Sequence, residues 1–224
     1  MSKAAPDRSL KSLNMKWLVM LASLDVLAVL VFVAPEFLKD ASWSSVAVMR
    51  GLVTVLMPVI VLLVTGVLSH DVKATLVYWK LANPYPGCEA FTRHAPADAR
   101  IDLVALKKNV GELPVDRAEQ NRKWFKLYRM VADDRAVVEA HKLYLLYRDM
   151  AALSLPLIVL LPAGLYLAGA SVAVLRLAAA IFSVQFVVCC LGARNSGTRF
   201  VCNVLAVHST KKVTAAKTAA AAAT

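Results

Sequence analysis

The stretch that decides the fold runs from Met150 to Ala193, MAALSLPLIVLLPAGLYLAGASVAVLRLAAAIFSVQFVVCCLGA, and Arg176 is its only charged residue. A membrane-spanning helix needs about 20 apolar residues. As a single helix this stretch would extend about 66 Å, roughly twice the hydrocarbon thickness of a bilayer. We therefore predict a helical hairpin, with spans at about 150–168 and 172–192 and a turn at Gly169-Ala170-Ser171.

Two further apolar stretches precede this hairpin. Residues 17–35 are interrupted only by Asp25, and residues 46–69 carry one charge, Arg50. The first stretch is long for a signal peptide, and Phe32-Val33-Ala34 is not an A-x-A-like cleavage site, so we expect a retained helix. The chain is therefore predicted to be an all-α integral membrane protein, a four-transmembrane-helix bundle made of two helical hairpins.

The composition agrees with this class. Hydrophobic residues make up 59% of the 224 residues, against roughly 45–50% in soluble domains. The formal net charge of +11 would suggest nucleic acid as the partner of a soluble protein. In a membrane protein, Lys and Arg collect in cytoplasmic segments and meet anionic headgroups. The lipid bilayer is therefore the predicted partner, and nucleic acid is not expected.

The distribution of Lys and Arg predicts the orientation. Basic residues are frequent in residues 1–16, 70–149 and 194–224, whereas the loop after the first span holds only Lys39 and the turn between the last two spans holds none. Because Lys and Arg favour the cytoplasmic side, we predict that both termini and the central segment are cytoplasmic.

The central segment, residues 70–149, is predicted to be a small helical domain between the second and third spans. Residues 70–81 can extend the second span as a helix. Residues 83–87 contain two prolines and a glycine that stop it, and residues 88–97 are expected to form a loop.

Capping residues predict two helices in the rest of this segment. Asp98 is a candidate N-cap for a short helix that ends near Gly111. Asp116 and Glu119 resemble a capping box for a helix over residues 117–131.

A third helix is predicted to start at Asp133 or Asp134. No breaker occurs between residues 135 and 155, so this helix is expected to run directly into the third span. After the fourth span, residues 194–197 are expected to form a turn, followed by a short helix on the inner membrane surface. The apolar face of that helix contains Phe200, Val201, Val204 and Leu205, and the Ala-rich tail up to Thr224 is expected to fray.

Asp25 is the most informative single residue, because a lone carboxylate near mid-depth in a span is strongly unfavourable without a partner. Arg50 and Arg176 lie at depths from which both guanidinium groups can reach toward it. We predict an intramembrane polar cluster of Asp25, Arg50 and Arg176, with an ion pair between Asp25 and one of the arginines. Two alternatives stay open: a protonated Asp25 with both arginines extended toward the interface, and a proton or ion pathway.

A second candidate site lies in residues 120–129, which mix cations with aromatic residues. Arg122, Lys123, Lys126 and Arg129 form a candidate surface for a cytoplasmic protein partner or lipid headgroups, and a nucleotide or RNA would suit the same chemistry. The simpler interpretation is an amphipathic helix that buries its aromatic side chains and exposes its charges.

No catalytic, cofactor or metal site is predicted. The four cysteines include no CxxC pair, and the four histidines show no HxxxH or HExxH spacing. Cys88 lies close in sequence to Glu89, Arg93 and His94, which would suit a nucleophile with a base, but no triad order or oxyanion motif accompanies it. We expect no enzymatic activity, and we expect residues 84–91 to fold back under the membrane as a rigid lid.

These features suggest three functions. The first is a non-enzymatic sensor, scaffold or effector subunit, whose cytoplasmic domain contacts a protein partner and whose bundle forms a homo-oligomer. The second is an oligomeric pore or channel, and the third is a small transporter. Few polar residues are available to line a lumen: Thr54, Thr65, Ser154, Ser183 and Gln185.

The same plan of four spans and a small inner domain occurs in bacterial inner-membrane effectors of stress and antiviral (phage) defence. This is an analogy of architecture alone. On that analogy, we place the protein in the bacterial inner membrane.

Overall fold

The computed structural model describes residues 10–28, 66–167 and 170–210, and every regular element in these ranges is helical. The helices of eight residues or more in these ranges are labelled in chain order: α1 Leu10–Ala28, α2 His70–Tyr78, α3 Leu103–Val110, α4 Arg117–Met130, α5 Arg135–Leu167 and α6 Val172–Thr210. Shorter helical turns lie at Pro86–Glu89 (3₁₀), Ala90–His94 (π) and Ala95–Ala97 (α). The all-α prediction is confirmed for the described residues.

Two helices, α5 and α6, are long and apolar enough to cross a membrane by length and composition. α5 ends at Leu167 and α6 begins at Val172, so the helices are separated where the turn was predicted. Gly169 of that predicted turn lies outside the described residues. Ser171 caps α6, since its hydroxyl accepts a hydrogen bond from the Val174 N–H at 3.4 Å. Residues 29–65 lie outside the described residues, so the four-span bundle stays a prediction.

Acidic N-caps start α4 and α5 as predicted. The Asp116 carboxylate accepts hydrogen bonds from the first turn of α4. The Asp134 carboxylate accepts one from the Ala136 N–H of α5 at 3.0 Å. α5 then continues through Pro156 and Pro162 to Leu167, which confirms that this helix runs into the predicted third span.

The predicted cap of α3 is wrong by four residues. The N-cap is Asp102, whose carboxylate accepts hydrogen bonds from the Val104 and Ala105 N–H groups at 2.8 and 3.0 Å. Asp98 instead pairs with Arg100, with an Nη2–Oδ2 distance of 2.6 Å. The helix does end at Gly111 as predicted, where a φ of 79° favours glycine.

The helix predicted over residues 70–81 is confirmed over residues 70–78, but it does not extend the preceding segment and it ends three residues early. The chain bends at Leu68, and the Ser69 hydroxyl caps a separate helix, α2, by accepting a hydrogen bond from the Val72 N–H at 3.3 Å. α2 stops at Tyr78 because Trp79 has a φ of 55°. The loop expected at residues 88–97 is likewise wrong, since the short helical turns occupy it.

The chain divides into two compact units. Unit 1 comprises Met1–Val77 and Leu145–Gly192, and unit 2 comprises Tyr78–Tyr144 and Ala193–Thr224. α5 and α6 each contribute residues to both units.

In unit 1, buried side chains form two small apolar clusters. The first joins Leu18 of α1 to Leu146 and Leu153 of α5. The second pairs Leu165 of α5 with Ala178 of α6. The first cluster connects helices distant in sequence, and the second connects two consecutive helices.

Phe200 lies in the core of unit 2, with 3% of its surface exposed. Its ring stacks on His141 with centroids 4.4 Å apart, and it meets Trp124 and Tyr128 edge-on at 5.0 and 5.1 Å. Its apolar neighbours on α6 are also buried: Val201, Val204 and Leu205. Instead of facing a membrane surface, this apolar face is buried within unit 2, because α4 and α5 supply aromatic side chains that pack against it.

Gly197 explains why the turn predicted at residues 194–197 is wrong. α6 runs through this position without a break. A Cβ atom on Gly197 would lie 2.2 Å from the Tyr78 hydroxyl oxygen and 3.2 Å from the ring of Tyr144. The glycine is therefore required for close side-chain packing and not for a turn.

We expect Gly197→Ala to destabilise unit 2 by about 1–3 kcal/mol through overpacking. Less than half of this loss is expected in a Tyr78→Phe background, which removes the oxygen that the new methyl group would strike. Near-UV circular dichroism during thermal unfolding in detergent micelles measures both effects. Gly164→Ala is the matched control, because a Cβ there meets nothing within 4 Å, and it should not destabilise the protein. Equal losses in the two backgrounds would contradict the clash.

Candidate functional site

The carboxylate of Asp25 has a hydrogen-bond partner that the sequence did not indicate. Gln185 of α6 donates through Nε2 to Asp25 Oδ2 at 3.2 Å and to Ser154 Oγ of α5 at 3.0 Å. The Ser154 hydroxyl in turn donates to the Met150 carbonyl oxygen at 2.9 Å. This polar network joins three helices of unit 1.

The arginines predicted to pair with Asp25 are placed differently. Arg50 lies outside the described residues. Arg176 is exposed, and no ion pair within the described ranges joins it to Asp25. A glutamine amide has two N–H donors, so Gln185 can serve the carboxylate and a hydroxyl together without introducing a second charge.

A double-mutant cycle between Asp25→Leu and Gln185→Leu should give a coupling energy of about 1–2 kcal/mol, because it removes an interhelical hydrogen bond to a buried carboxylate. The cycle between Asp25→Leu and Arg176→Leu is the control and should give less than about 0.5 kcal/mol. Unfolding in mixed detergent micelles measures both. The assignment of Gln185 as partner is wrong if the arginine cycle shows the larger coupling.

The four cations predicted as a partner or headgroup surface lie on α4. Three are exposed: Arg122, Lys126 and Arg129. Lys123 is half-buried, and its ammonium group donates to the Glu112 carbonyl oxygen. On the other face, Trp124 and Leu127 are 5% and 7% exposed. The amphipathic interpretation is therefore confirmed, while a binding role for the exposed cations stays a prediction.

A buried ion cluster in unit 1 was missed by sequence reasoning. Asp149 accepts Lys73 Nζ at 3.1 Å and Arg148 Nη2 at 3.0 Å, and the Lys73 and Asp149 side chains are each 3% exposed. Arg148 also contacts the His70 ring nitrogen at 3.1 Å. Lys73 and Arg148 stand beside predicted spans, where basic residues are expected in water, so the sequence carried no signal that they are buried.

A pocket of about 300 Å³ lies in unit 2. One wall comes from the chain between Tyr78 and His94, and the other comes from Arg194, Asn195 and Thr198 on α6. Residues 84–91, predicted to form a rigid lid, supply Pro84, Tyr85, Pro86 and Glu89 to this pocket.

Gln120 holds this segment in place. It is 1% exposed, and its side-chain oxygen accepts the Phe91 and Thr92 N–H groups at 2.9 and 3.2 Å. Its amide group donates to the Val115 carbonyl oxygen at 2.8 Å. Gly87 allows the same segment to approach α4, because a Cβ there would lie 2.6 Å from the indole of Trp124. The pocket wall is therefore firmly packed despite its short elements.

The Glu89 carboxylate forms ion pairs with three cations at the pocket. Its two carboxylate oxygens contact Lys80 Nζ at 2.6 Å, Arg93 Nη1 at 3.0 Å and Arg117 Nη1 at 3.0 Å. The Glu89 side chain is 20% exposed, and those of Lys80, Arg117 and Arg93 are 38%, 40% and 72% exposed. This cluster is therefore open to solvent, unlike the one around Asp149.

The cations set the protonation state of Glu89. Burial alone would raise its pKa, but hydrogen bonds from Lys80 and Arg93 and the charges of Lys80 and Arg117 outweigh burial and lower the pKa from 4.5 to about 2. Burial lowers the pKa of His94, so its ring is neutral near pH 7.

Cys88, next to this cluster, has none of the properties of a nucleophile. It is 1% exposed, and burial raises the pKa of its thiol. The thiol is therefore protonated near neutral pH and packs as a small apolar group.

Because the carboxylate of Glu89 has a lower pKa in the folded state, it should stabilise the protein above pH 4.5 and lose this effect as the pH falls toward 2. We expect Glu89→Gln to lower the midpoint of thermal unfolding most above about pH 5, with the difference from wild type vanishing toward pH 2. Thermal unfolding between these pH values measures it. Glu112→Gln is the control, since that carboxylate is 88% exposed, and its curve should follow wild type. A constant difference for Glu89→Gln at all pH values would contradict the linkage.

Within the described ranges, no group of three or more His, Cys, Asp or Glu side chains is placed to hold a metal ion. Comparison with protein-family models, with curated proteins and with solved structures gives no match for this chain. The function is therefore inferred from the geometry of the residues themselves.

Proposed function

We propose that the protein is a non-enzymatic sensor, scaffold or effector subunit of the bacterial inner membrane, which couples a cytoplasmic helical domain to membrane-spanning helices. The continuity of two helices supports this proposal most directly. α5 and α6 extend over 33 and 39 residues, and each contributes residues to unit 1 and unit 2. Because a hydrogen-bonded helix without proline is stiff along its axis, a displacement at one end of α6 reaches the other end.

In this proposal, unit 2 is the cytoplasmic domain and the apolar parts of α5 and α6 cross the bilayer. Residues 17–35 and 46–69 supply the other two spans, with both termini inside, and copies of the chain assemble as a homo-oligomer. The excess of Lys and Arg in the segments assigned to the cytoplasm supports this orientation.

The exposed face of α4 is the proposed contact for a cytoplasmic protein. Arg122, Lys126 and Arg129 are exposed there, together with the aromatic ring of Phe125, which is 50% exposed. Arginine and exposed aromatic side chains are the types that most often carry binding energy at protein interfaces.

An oligomeric pore is the alternative. The network of Asp25, Gln185 and Ser154 supplies polar groups to the apolar helices of unit 1. The amide donor atom of Gln185 is already engaged by these two acceptors, which favours a structural link over a water-filled path.

A photoreactive amino acid in place of Phe125 tests the coupling function in native membranes. It should form a covalent product with one cytoplasmic protein, because the α4 face contacts the partner. The same substitution at Arg135, whose side chain is 92% exposed, is the control and should not form it. Loss of the product in an Arg122→Glu/Lys126→Glu variant of unchanged thermal stability is also expected. No product, or the same product from both positions, would contradict the partner surface.

Ion flux from proteoliposomes separates the proposal from a pore. We expect flux no greater than that of protein-free liposomes. Flux that scales with the amount of protein and changes in Gln185→Leu would instead identify a pore.

A further inference from the structure

The pocket in unit 2 has the electrostatic character of an anion site. Its wall contains three basic side chains, Lys80, Arg93 and Arg194, against one carboxylate, Glu89, which leaves a formal net charge of +2. Arg117 contacts the same carboxylate from outside the wall and adds a further positive charge. A concave site lined by one sign of charge concentrates ions of the opposite sign.

Glu89 holds these cations close together without using all of their hydrogen-bond donors. Lys80, Arg93 and Arg117 would repel one another without a carboxylate between them, and Glu89 holds all three within 3.0 Å of its oxygens. An ammonium group has three N–H donors and a guanidinium group has five. Each cation uses one nitrogen on Glu89, and Arg117 also donates through Nη2 to the Asn83 carbonyl oxygen at 3.3 Å. The further donors of Lys80 and Arg93, which line the pocket, are available to a second anion.

Arg194, a lining residue, is oriented by an aromatic ring that does not itself line the pocket. Its guanidinium carbon lies 4.1 Å from the centre of the Trp79 ring, a cation–π contact. A planar guanidinium group held in this way is suited to bind two oxygens of a phosphate group together.

Tyr78 adds a hydrogen-bond donor to the wall. Within the described part of the chain, its hydroxyl is buried and has no hydrogen-bond partner. A buried hydroxyl without a partner is unfavourable, so an acceptor oxygen within reach of this hydroxyl would relieve an existing deficit. Asn195 and Thr198, one turn apart on α6, supply further polar groups.

We propose that this pocket binds a phosphate group of an anionic ligand. A volume of about 300 Å³ is at the small end of ligand pockets, which fits one or two phosphate groups with a short attachment. Several converging cations favour a phosphate over a singly charged carboxylate, because each added charge on the ligand meets another cation.

Two sources share this chemistry, an anionic phospholipid headgroup and a soluble phosphorylated molecule. In the proposed topology, Arg194 directly follows the end of the fourth span, at the level of lipid headgroups. The inference that α6 transmits ligand binding into the membrane rests on the proposed sensor function. The inference that the pocket binds a phosphate group does not rest on that function.

The experiment is a titration of the full-length protein in phosphate-free maltoside micelles, monitored by isothermal calorimetry. One arm uses inorganic pyrophosphate, and the other uses dioctanoyl phosphatidylglycerol. We expect Lys80→Gln/Arg194→Gln to bind at least tenfold more weakly than wild type. Lys108→Gln/Arg135→Gln removes the same charge from exposed positions outside the pocket and should bind within twofold of wild type. Arg93→Gln, on a side chain 72% exposed, is a milder variant that keeps the test valid if the double variant unfolds, and it should weaken binding at least threefold.

Binding of pyrophosphate alone would identify a soluble ligand, binding of the lipid alone would identify a headgroup, and binding of both would identify the phosphate as the recognised group. Absence of binding by both probes would overturn the proposal, as would equal losses in the pocket and control variants. Because these titrations require neither a bilayer nor a partner protein, their failure is distinguishable from a failure of the crosslinking and flux experiments.

Discussion

Phe200 joins three helices of unit 2, and the position of the pocket depends on it. Its ring is in contact with Trp124 and Tyr128 of α4 and with His141 of α5. Tyr128 and His141 are also linked to each other by a hydrogen bond of 3.1 Å. Stacked and edge-on rings of this kind have preferred geometries, so they determine the rotation of α6 as well as its distance from α4.

The rotation of α6 has a direct consequence for the pocket. Residues spaced three apart on a helix lie on the same face, and Gly197 and Arg194 precede Phe200 at this spacing. With Phe200 in the core, Gly197 faces Tyr78 and Arg194 stacks on Trp79. The packing of Phe200 is thus consistent with the close approach of Gly197 to Tyr78 and with the position of Arg194 in the pocket wall.

The charged cluster around Asp149 and the charged cluster around Glu89 differ in their exposure to solvent. The Lys73–Asp149 pair is almost completely buried, so its charges satisfy each other and serve the packing of unit 1. The cations around Glu89 are partly open to solvent, so a ligand can reach them. Burial decides which cluster holds the fold together and which one is available to a ligand, although both consist of the same residue types.

The sequence by itself determined the helical class, several helix ends and the separation of α5 from α6. These follow from local rules: the length of an apolar stretch, and an aspartate such as Asp116 or Asp134 whose carboxylate accepts the N–H groups of the next turn. The tertiary structure decided the other features, because the same residue type in the sequence is compatible with two different structural roles. Asp98 and Asp102 are both possible caps, and the contact of Asp98 with Arg100 selects the second. Gly197 suggests a turn in sequence but provides space for Tyr78. The partner of Asp25 and the cations around Glu89 come from distant parts of the chain, and only the packing of helices brings such residues within hydrogen-bond distance.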